Sequence, residues 1–427
     1  MTFALGLLPA TLLLFGVPIF VVLLTASVVA LAFFMNIPMT AVHQNLFGSI
    51  SSSGLLAVPY FIFAGELMSR GTVSLRLVDF VRSFVGGLPG ALGVTTVGTA
   101  TVFGAISGSS AAAVASVGKV MHPEMKKDGY PGPFSAGMIT SVSAIGIIIP
   151  PSIPMIVYGA SSETSIPRLY AAGVLPGLLL AGVLAAYIMV RARVGGFGSR
   201  SRPTLTGIAS AMQRAVWALG APVIVLGGIY GGIFSPTEAA AVACFYAMVV
   251  TRFIFRELSW RDILDCAVTS ILFSAQILVI VAAAGLFSWI LTVNQIPQSM
   301  VAWIVSMDIS AWQFLLAVNI MLLLWGCVMD PLSAILLLTP ILIPIVDALE
   351  IDKVHFGIVM TLNLAIGLFT PPFGINIFVA QSALRMNTKD IYKGTLPFFL
   401  VFVVILGFIT FIPQISLFSM NALMFGN

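Results

Sequence analysis

Charge is what this sequence most lacks. Only 8% of its 427 residues are Asp, Glu, Lys or Arg, 59% are hydrophobic, and the mean hydropathy is +1.10. A water-soluble domain carries roughly a quarter charged residues, which excludes a cytosolic enzyme or binding module. Residues 1–65, 266–307 and 394–427 contain no charged side chain at all. In lipid, such runs must satisfy their own backbone as helices or as a closed barrel, and the short alternating segments of a barrel are missing. Cysteine is nearly absent: Cys244, Cys266 and Cys327 stand singly without a CxxC pair, which excludes a disulfide framework and a thiolate metal site. His43, His122 and His355 have no metal-ligating residue at i+3 or i+4. No GxxxxGK[ST] phosphate loop occurs, so this chain does not itself hydrolyse ATP. The small basic excess, a net +4, lies in loops and gives nucleic-acid binding no support.

What remains is an all-α polytopic membrane protein. The uncharged N-terminal run has no basic region ahead of it, so it reads as a first membrane helix and not a cleaved signal. Apolar segments are expected at 4–34 (interrupted by Pro18), 54–68, 91–118, 134–160 (broken at Pro150 and Pro151), 169–190, 213–233, 237–252 and 266–293. Further ones follow at 311–329 with a return through 345, at 355–383 (broken at Pro371 and Pro372), and at 395–418. Two shorter amphipathic stretches, 72–86 with Arg76, Asp79 and Arg82, and 296–308, suit the membrane interface. The expected total is nine crossings and two re-entrant hairpins, 91–120 and 311–347.

An internal repeat organises these segments. GIIIPPSIP (146–154) aligns with GLFTPPFGI (367–375) at an offset of 221, which also pairs Thr140 with Thr361, Ala144 with Ala365, Ser161 with Ser382, Gly173 with Gly394 and Pro176 with Pro397. One residue of slippage then pairs Gly104 with Gly326 at the two hairpin tips. Basic residues flank the first hairpin (Arg70, Arg76, Arg82, Lys119, Lys126, Lys127), while Asp308, Asp347, Glu350 and Asp352 dominate the flanks of the second. The positive-inside rule places the first base in the cytoplasm and the second outside. Five expected crossings between them, an odd number, require the same inversion. The basic loop 191–214 and the stretch Arg385–Lys393 then fall inside, the N-terminus is cytoplasmic and the C-terminus periplasmic.

Inverted repeats with broken helices mark secondary transporters, whose sites lie near the bilayer midplane. A proline pair removes two donors and frees carbonyls one turn earlier, and these are tolerable only facing protein, water or an ion. One break, 146–152, faces the tip GAISGSS (104–110). The other, 367–373 with Thr370, faces 326–330. One cation site per half is expected, with an anionic substrate between them at half-helix N-termini. Ser109, Ser110, Ser152, Asp330 and Pro372 are the residues expected to meet it. Asp330 is an intramembrane carboxylate and functional by default, although it also suits a cap on the returning helix. Serines among small residues more often serve helix packing; opposite a broken helix, ligation is the better reading. Glu66 and Glu238 read as caps or snorkelling side chains, and the GxxxG pairs at Gly227 and Gly228 as packing faces.

VPYFIFAGELM (58–68), GAISGSSAAAVASVGKVMHPEM (104–125), GIIIPPSIPMIVYG (146–159), AAGVLPGLL (171–179), SPTEAAAVA (235–243) and DPLSAILLLTPILIPI (330–345) resemble the large membrane subunit of TRAP (tripartite ATP-independent periplasmic) transporters over nearly the whole chain. The resemblance implies sodium-driven uptake of an organic acid (a C4-dicarboxylate, sialic acid or another sugar acid) in the bacterial inner membrane. It implies two partners: a small four-helix membrane subunit, and a periplasmic substrate-binding protein that delivers the acid. It also implies an elevator fold, divided as scaffold and arm 1–90, first transport repeat 91–190, central scaffold and second arm 191–310, and second transport repeat with the last span 311–427. The implied sodium ligands, mostly backbone carbonyls, are Ser107, Gly146, Ile149 and Pro151 in one half and Gly326, Gly367, Thr370 and Phe373 in the other. Three readings compete: a sodium/dicarboxylate symporter needing no binding protein, an intramembrane serine hydrolase using Ser107 or Ser109 with His122, and a channel.

Overall fold

The computed structural model describes residues 1, 3–35, 37–199 and 203–424. Arg200 and Arg202 of the basic loop lie outside them. Among the described residues every regular element is helical. Six helices are long and apolar enough to cross a bilayer, and a seventh span results if Met39–Ile50 and Ser53–Arg70, bent by 52°, count as one. The remaining apolar helices are shorter, at 10–17 residues, so the structure gives six or seven spans by length where nine crossings were expected.

Proline and glycine set the punctuation. The first helix ends at Leu14, followed by left-handed Gly16, and Pro18 is the N-cap of Ile19–Phe34. Pro413 divides the expected 395–418 segment into Thr388–Phe411 and Gln414–Met424. Helix Met39–Ile50 falls in a stretch for which no segment was expected; its Gln, Asn and Ser side chains hide it from a hydropathy reading. The expected 266–293 segment begins earlier, at Trp260, and runs 34 residues to Val293. At 1.5 Å per residue that is about 51 Å, against a hydrocarbon core of roughly 30 Å. The charged first turns, with Arg261, Asp262 and Asp265, therefore have length enough to stand clear of lipid. A capping box between Ser259 and Asp262 fixes that start, worth about 1 kcal/mol.

Each segment expected to form a hairpin is a pair of helices. The first joins Ala91–Ser107 to Ser110–Lys127 through Gly108, whose φ of 58° is left-handed and suits a residue without Cβ. The second joins Ala311–Gly326 to Pro331–Ala348. Both broken helices are broken. Gly132–Val142 tightens into a 3-10 turn at Ser143–Ile147, and the chain resumes as Ile153–Ser162. Lys353–Gly367 stops and resumes as Ile375–Leu384. The Pro150–Pro151 and Pro371–Pro372 bonds, 221 positions apart, are both cis. The repeat read from the sequence is thus a repeat of backbone form.

Candidate functional site

Each break is held against its hairpin tip by a glycine pair. A Cβ on Gly104 would lie 2.3 Å from the Gly146 Cα, and one on Gly367 would lie 2.4 Å from the Gly326 carbonyl oxygen. Only glycine on both sides permits backbones this close. In the first half a Cβ on Gly108 would stand 2.9 Å from the Pro151 carbonyl oxygen and one on Gly146 would stand 3.9 Å from the Ser109 carbonyl oxygen. Ser107, 2% exposed, places its hydroxyl 3.4 Å from the same Ser109 carbonyl. Ser107, Gly146 and Pro151 are therefore brought together around one tip. Ile149, buried, follows in the same break.

In the second half Gly326 and Gly367 meet, and the Thr370 hydroxyl donates to the Ile366 carbonyl at 2.6 Å. That leaves the oxygen's lone pairs available to a cation. The Gly367 carbonyl accepts from the Thr370 amide at 3.2 Å. Phe373 is 58% exposed, at the open side of the break.

The substrate residues divide. Ser109 and Asp330, 221 positions apart, occupy the same place in the two hairpins: each is the N-cap of the returning helix. Ser109 accepts from the Ala112 amide at 3.4 Å; Asp330 accepts from the Ser333 amide at 3.0 Å and from the Ser333 hydroxyl at 2.5 Å. Asp330 is thus a cap, and it also lines a cavity of about 350 Å³ together with Gly108, Ser109, Ser110 and Leu368. The starts of four helices reach this cavity, at Ser110, Ile153, Pro331 and Ile375, two from each half. Helix N-termini carry partial positive charge; here the Ala112 and Ser333 amides are already taken up by the Ser109 and Asp330 caps, and Asp330 is the charged side chain on the cavity wall. Ser152 and Pro372 are not among the residues lining this cavity. Ser152 is fully buried, capping Ile153–Ser162 and donating to the Ile147 carbonyl at 2.5 Å. The Pro372 carbonyl accepts from the Tyr392 hydroxyl at 3.0 Å. Both support the breaks and do not face the cavity.

Two features were not foreseen. Phe273, Gln276, Ile277 and Ile280, on Trp260–Val293, form the opposite wall of the cavity. Asn376, fully buried, donates to the Ser110 hydroxyl at 2.7 Å and to the Thr140 carbonyl at 3.0 Å, tying the second broken helix to the first hairpin and the first broken helix. Its own carbonyl oxygen has no partner. A polar side chain in an apolar segment was the available signal. Asn319 and Asn363 carry the same signal: Asn363 donates to the Asn319 carboxamide oxygen at 2.9 Å, and Asn319 donates to the Thr410 hydroxyl at 2.9 Å.

The hydrolase reading fails on geometry. His122 lies 3.0 Å from the Ser135 hydroxyl, thirteen residues along its helix from Ser109, or about 20 Å at 1.5 Å per residue. Burial, assisted by Lys126, holds its pKa below the ordinary histidine value. Glu238 closes a capping box with Ser235, and Glu66 pairs with Arg70 at 3.2 Å, so both acids have local roles.

The sequence matches the family model described as "Tripartite ATP-independent periplasmic transporter, DctM component" over residues 7–415. It is 41% identical over 373 residues to the C4-dicarboxylate TRAP transporter large permease protein DctM of Pseudomonas aeruginosa, covering 87% of each chain. To the ectoine TRAP transporter large permease protein TeaC of Halomonas elongata it is 40% identical over 411 residues, covering 95% of this chain and 96% of that one. The isethionate TRAP transporter permease protein DctMQ of Oleidesulfovibrio alaskensis is 40% identical over 410 residues; the match takes in 96% of this chain and spans 65% of that relative's length. Among solved structures, the YdaH transporter of Alcanivorax borkumensis superposes with a TM-score of 0.67 over 98% of this chain and 99% of that one. At 14% identity that likeness concerns the fold alone.

Proposed function

The chain belongs to the TRAP transporter large permease family, DctM component, a multi-pass inner-membrane transport subunit and not an enzyme, and from that premise we propose sodium-coupled uptake of a small organic acid by an elevator movement. The observation that carries the reading is the meeting of four helix N-termini, two per repeat, at one cavity of about 350 Å³. The substrate is an acid anion held at those N-termini. The substrates named for the relatives, C4-dicarboxylate, ectoine and isethionate, all carry a carboxylate or sulfonate, which supports this class.

Sodium enters as co-substrate. One ion is held by Ser107, Gly146, Ile149 and Pro151, and a second by Gly326, Gly367, Thr370 and Phe373. Each site fixes a break against a hairpin tip, so ions filling both sites shape the cavity before the anion arrives. Each positive charge moving inward gains about 2.3 kcal/mol per 100 mV, so two ions offset a dicarboxylate's charge and their concentration gradient does further work. The two re-entrant hairpins, inverted with respect to one another, and their broken helices travel against the wall formed by Trp260–Val293. The N-terminus faces the cytoplasm and the C-terminus the periplasm. A small four-helix membrane subunit enlarges the scaffold, and a periplasmic binding protein delivers the acid.

Proteoliposomes containing this chain with its small subunit test the proposal. Labelled C4-dicarboxylate should accumulate only with an inward sodium gradient and added binding protein. Uptake that needs no binding protein would favour the independent symporter instead; uptake indifferent to sodium would remove the coupling. Thr370→Val should raise the sodium concentration for half-maximal uptake roughly five- to tenfold, the worth of one contact of about 1 kcal/mol. An unchanged sodium dependence would take Thr370 out of the site.

A further inference from the structure

The central cavity does not stand alone. It shares Ser109, Ile153 and Phe273 with a smaller void of about 110 Å³ beneath the first hairpin tip. That void shares Glu66 and Ala112 with a groove of about 550 Å³ between the first hairpin and helix Ala57–Arg70. The groove in turn shares Ala115 and Lys119 with another of about 700 Å³ that reaches Arg385. The series follows one face of Ser110–Lys127, where Ala112, Ala115, Ser116 and Lys119 recur at helical spacing of three and four. Small side chains keep that face open as far as Lys119. Three cations then gather at the wide end: Arg70 on the first groove, Arg385 on the second, and Lys119 on both. Arg70 is partly neutralised by Glu66, whereas Lys119 and Arg385 are exposed.

We propose that this series is the release route of the transported anion, and that Lys119, flanked by Arg70 and Arg385, is a second, transient anion-binding point at its cytoplasmic mouth. The inference rests on the reading above, that an organic anion is carried between the hairpin tips. Glu66, which lines both the 110 Å³ neck and the first groove, is paired with Arg70 at 3.2 Å, so the uncompensated charge drawing an anion past the neck is that of Lys119 and Arg385 beyond it. At the mouth, exposure keeps the attraction weak enough to let it leave. Basic residues also mark the cytoplasmic side by the positive-inside rule, so the route runs the way the substrate must go.

The test uses the complete three-component system in proteoliposomes at fixed sodium, with ionic strength varied by choline chloride. Lys119→Ala should lower the maximal uptake rate at least about threefold at low ionic strength. The deficit should shrink as salt rises, because exposed charges are screened over about 10 Å at 0.1 M. Lys119→Arg should restore the rate, and the sodium dependence should not move. Ala115→Leu, which narrows the route without altering charge, should slow uptake at every ionic strength. Lys119→Ala running at the wild-type rate in low salt, or losing rate to the same extent at all salt concentrations, would overturn the binding point. A wild-type complex that accumulates no organic acid would sink the underlying transport reading, and the route with it.

Discussion

Gly104→Ala and Gly367→Ala are each expected to cut sodium-driven uptake at least about tenfold while leaving the protein in the membrane. The added methyl has nowhere to go. At Gly104 it would lie 2.3 Å from the Gly146 Cα and at Gly367 it would lie 2.4 Å from the Gly326 carbonyl oxygen. Those neighbours are backbone atoms that no rotamer change can move aside. Overpacking of this kind typically costs 1–3 kcal/mol, and here the strain falls on the two contacts that define the proposed sodium sites. Gly182 and Gly407, in the interiors of Ile166–Gly195 and Thr388–Phe411, serve as controls: a Cβ at either meets nothing within 4 Å. Alanine there is expected to be neutral, or to add up to about 1 kcal/mol of helix stability. The measurements are uptake against sodium concentration and thermal melting in detergent. Gly104→Ala transporting at the wild-type rate would mean that tip and break need not touch during the cycle.

The parts of this site legible in the sequence are those whose chemistry is local. Two proline pairs announce backbone that cannot continue as helix, and the offset of 221 pairs Gly146 with Gly367, with one residue of slippage pairing Gly104 with Gly326. Ser109 and Asp330 were also readable as residues at equivalent tips, but not that both cap the returning helix and line one cavity. Ser152 and Pro372 were placed on the cavity by proximity to the breaks. Their oxygens are instead engaged with Ile147 and Tyr392, because a break must satisfy some of its own freed groups internally. The wall from Phe273 to Ile280 carried one signal that went unused, Gln276 in an uncharged segment. Its apolar members lie on a helix whose uncharged part, from Cys266 on, is otherwise too uniformly apolar to separate the lipid-facing stripe from the cavity-facing one. Helix Met39–Ile50 was missed for the opposite reason, being too polar to register as a membrane segment.

Asn376 stood out as a polar side chain in an apolar segment, but its partners Ser110 and Thr140, 266 and 236 positions distant, were hidden. Its removal is expected to have the other large effect. The carboxamide is fully buried and holds the second broken helix to both elements of the first half. Asn376→Leu keeps the volume but leaves the Ser110 hydroxyl and the Thr140 carbonyl without that donor. Leaving such groups unmet in an apolar interior costs about 1–3 kcal/mol, which converts to a five- to 150-fold loss in maximal uptake if the strained arrangement is the transporting one. Position matters more than stability here. Asn376 joins the half containing Thr370 to the tip containing Ser107, so it is a positioning residue through which filling one proposed ion site is felt at the other. The dependence of uptake on sodium should therefore become less steep in Asn376→Leu, with a Hill coefficient falling toward one. Asn376→Gln, which retains the amide, should recover part of that steepness. A variant that melts earlier yet keeps the wild-type steepness would show that Asn376 merely holds the fold together and that the two halves communicate by another path.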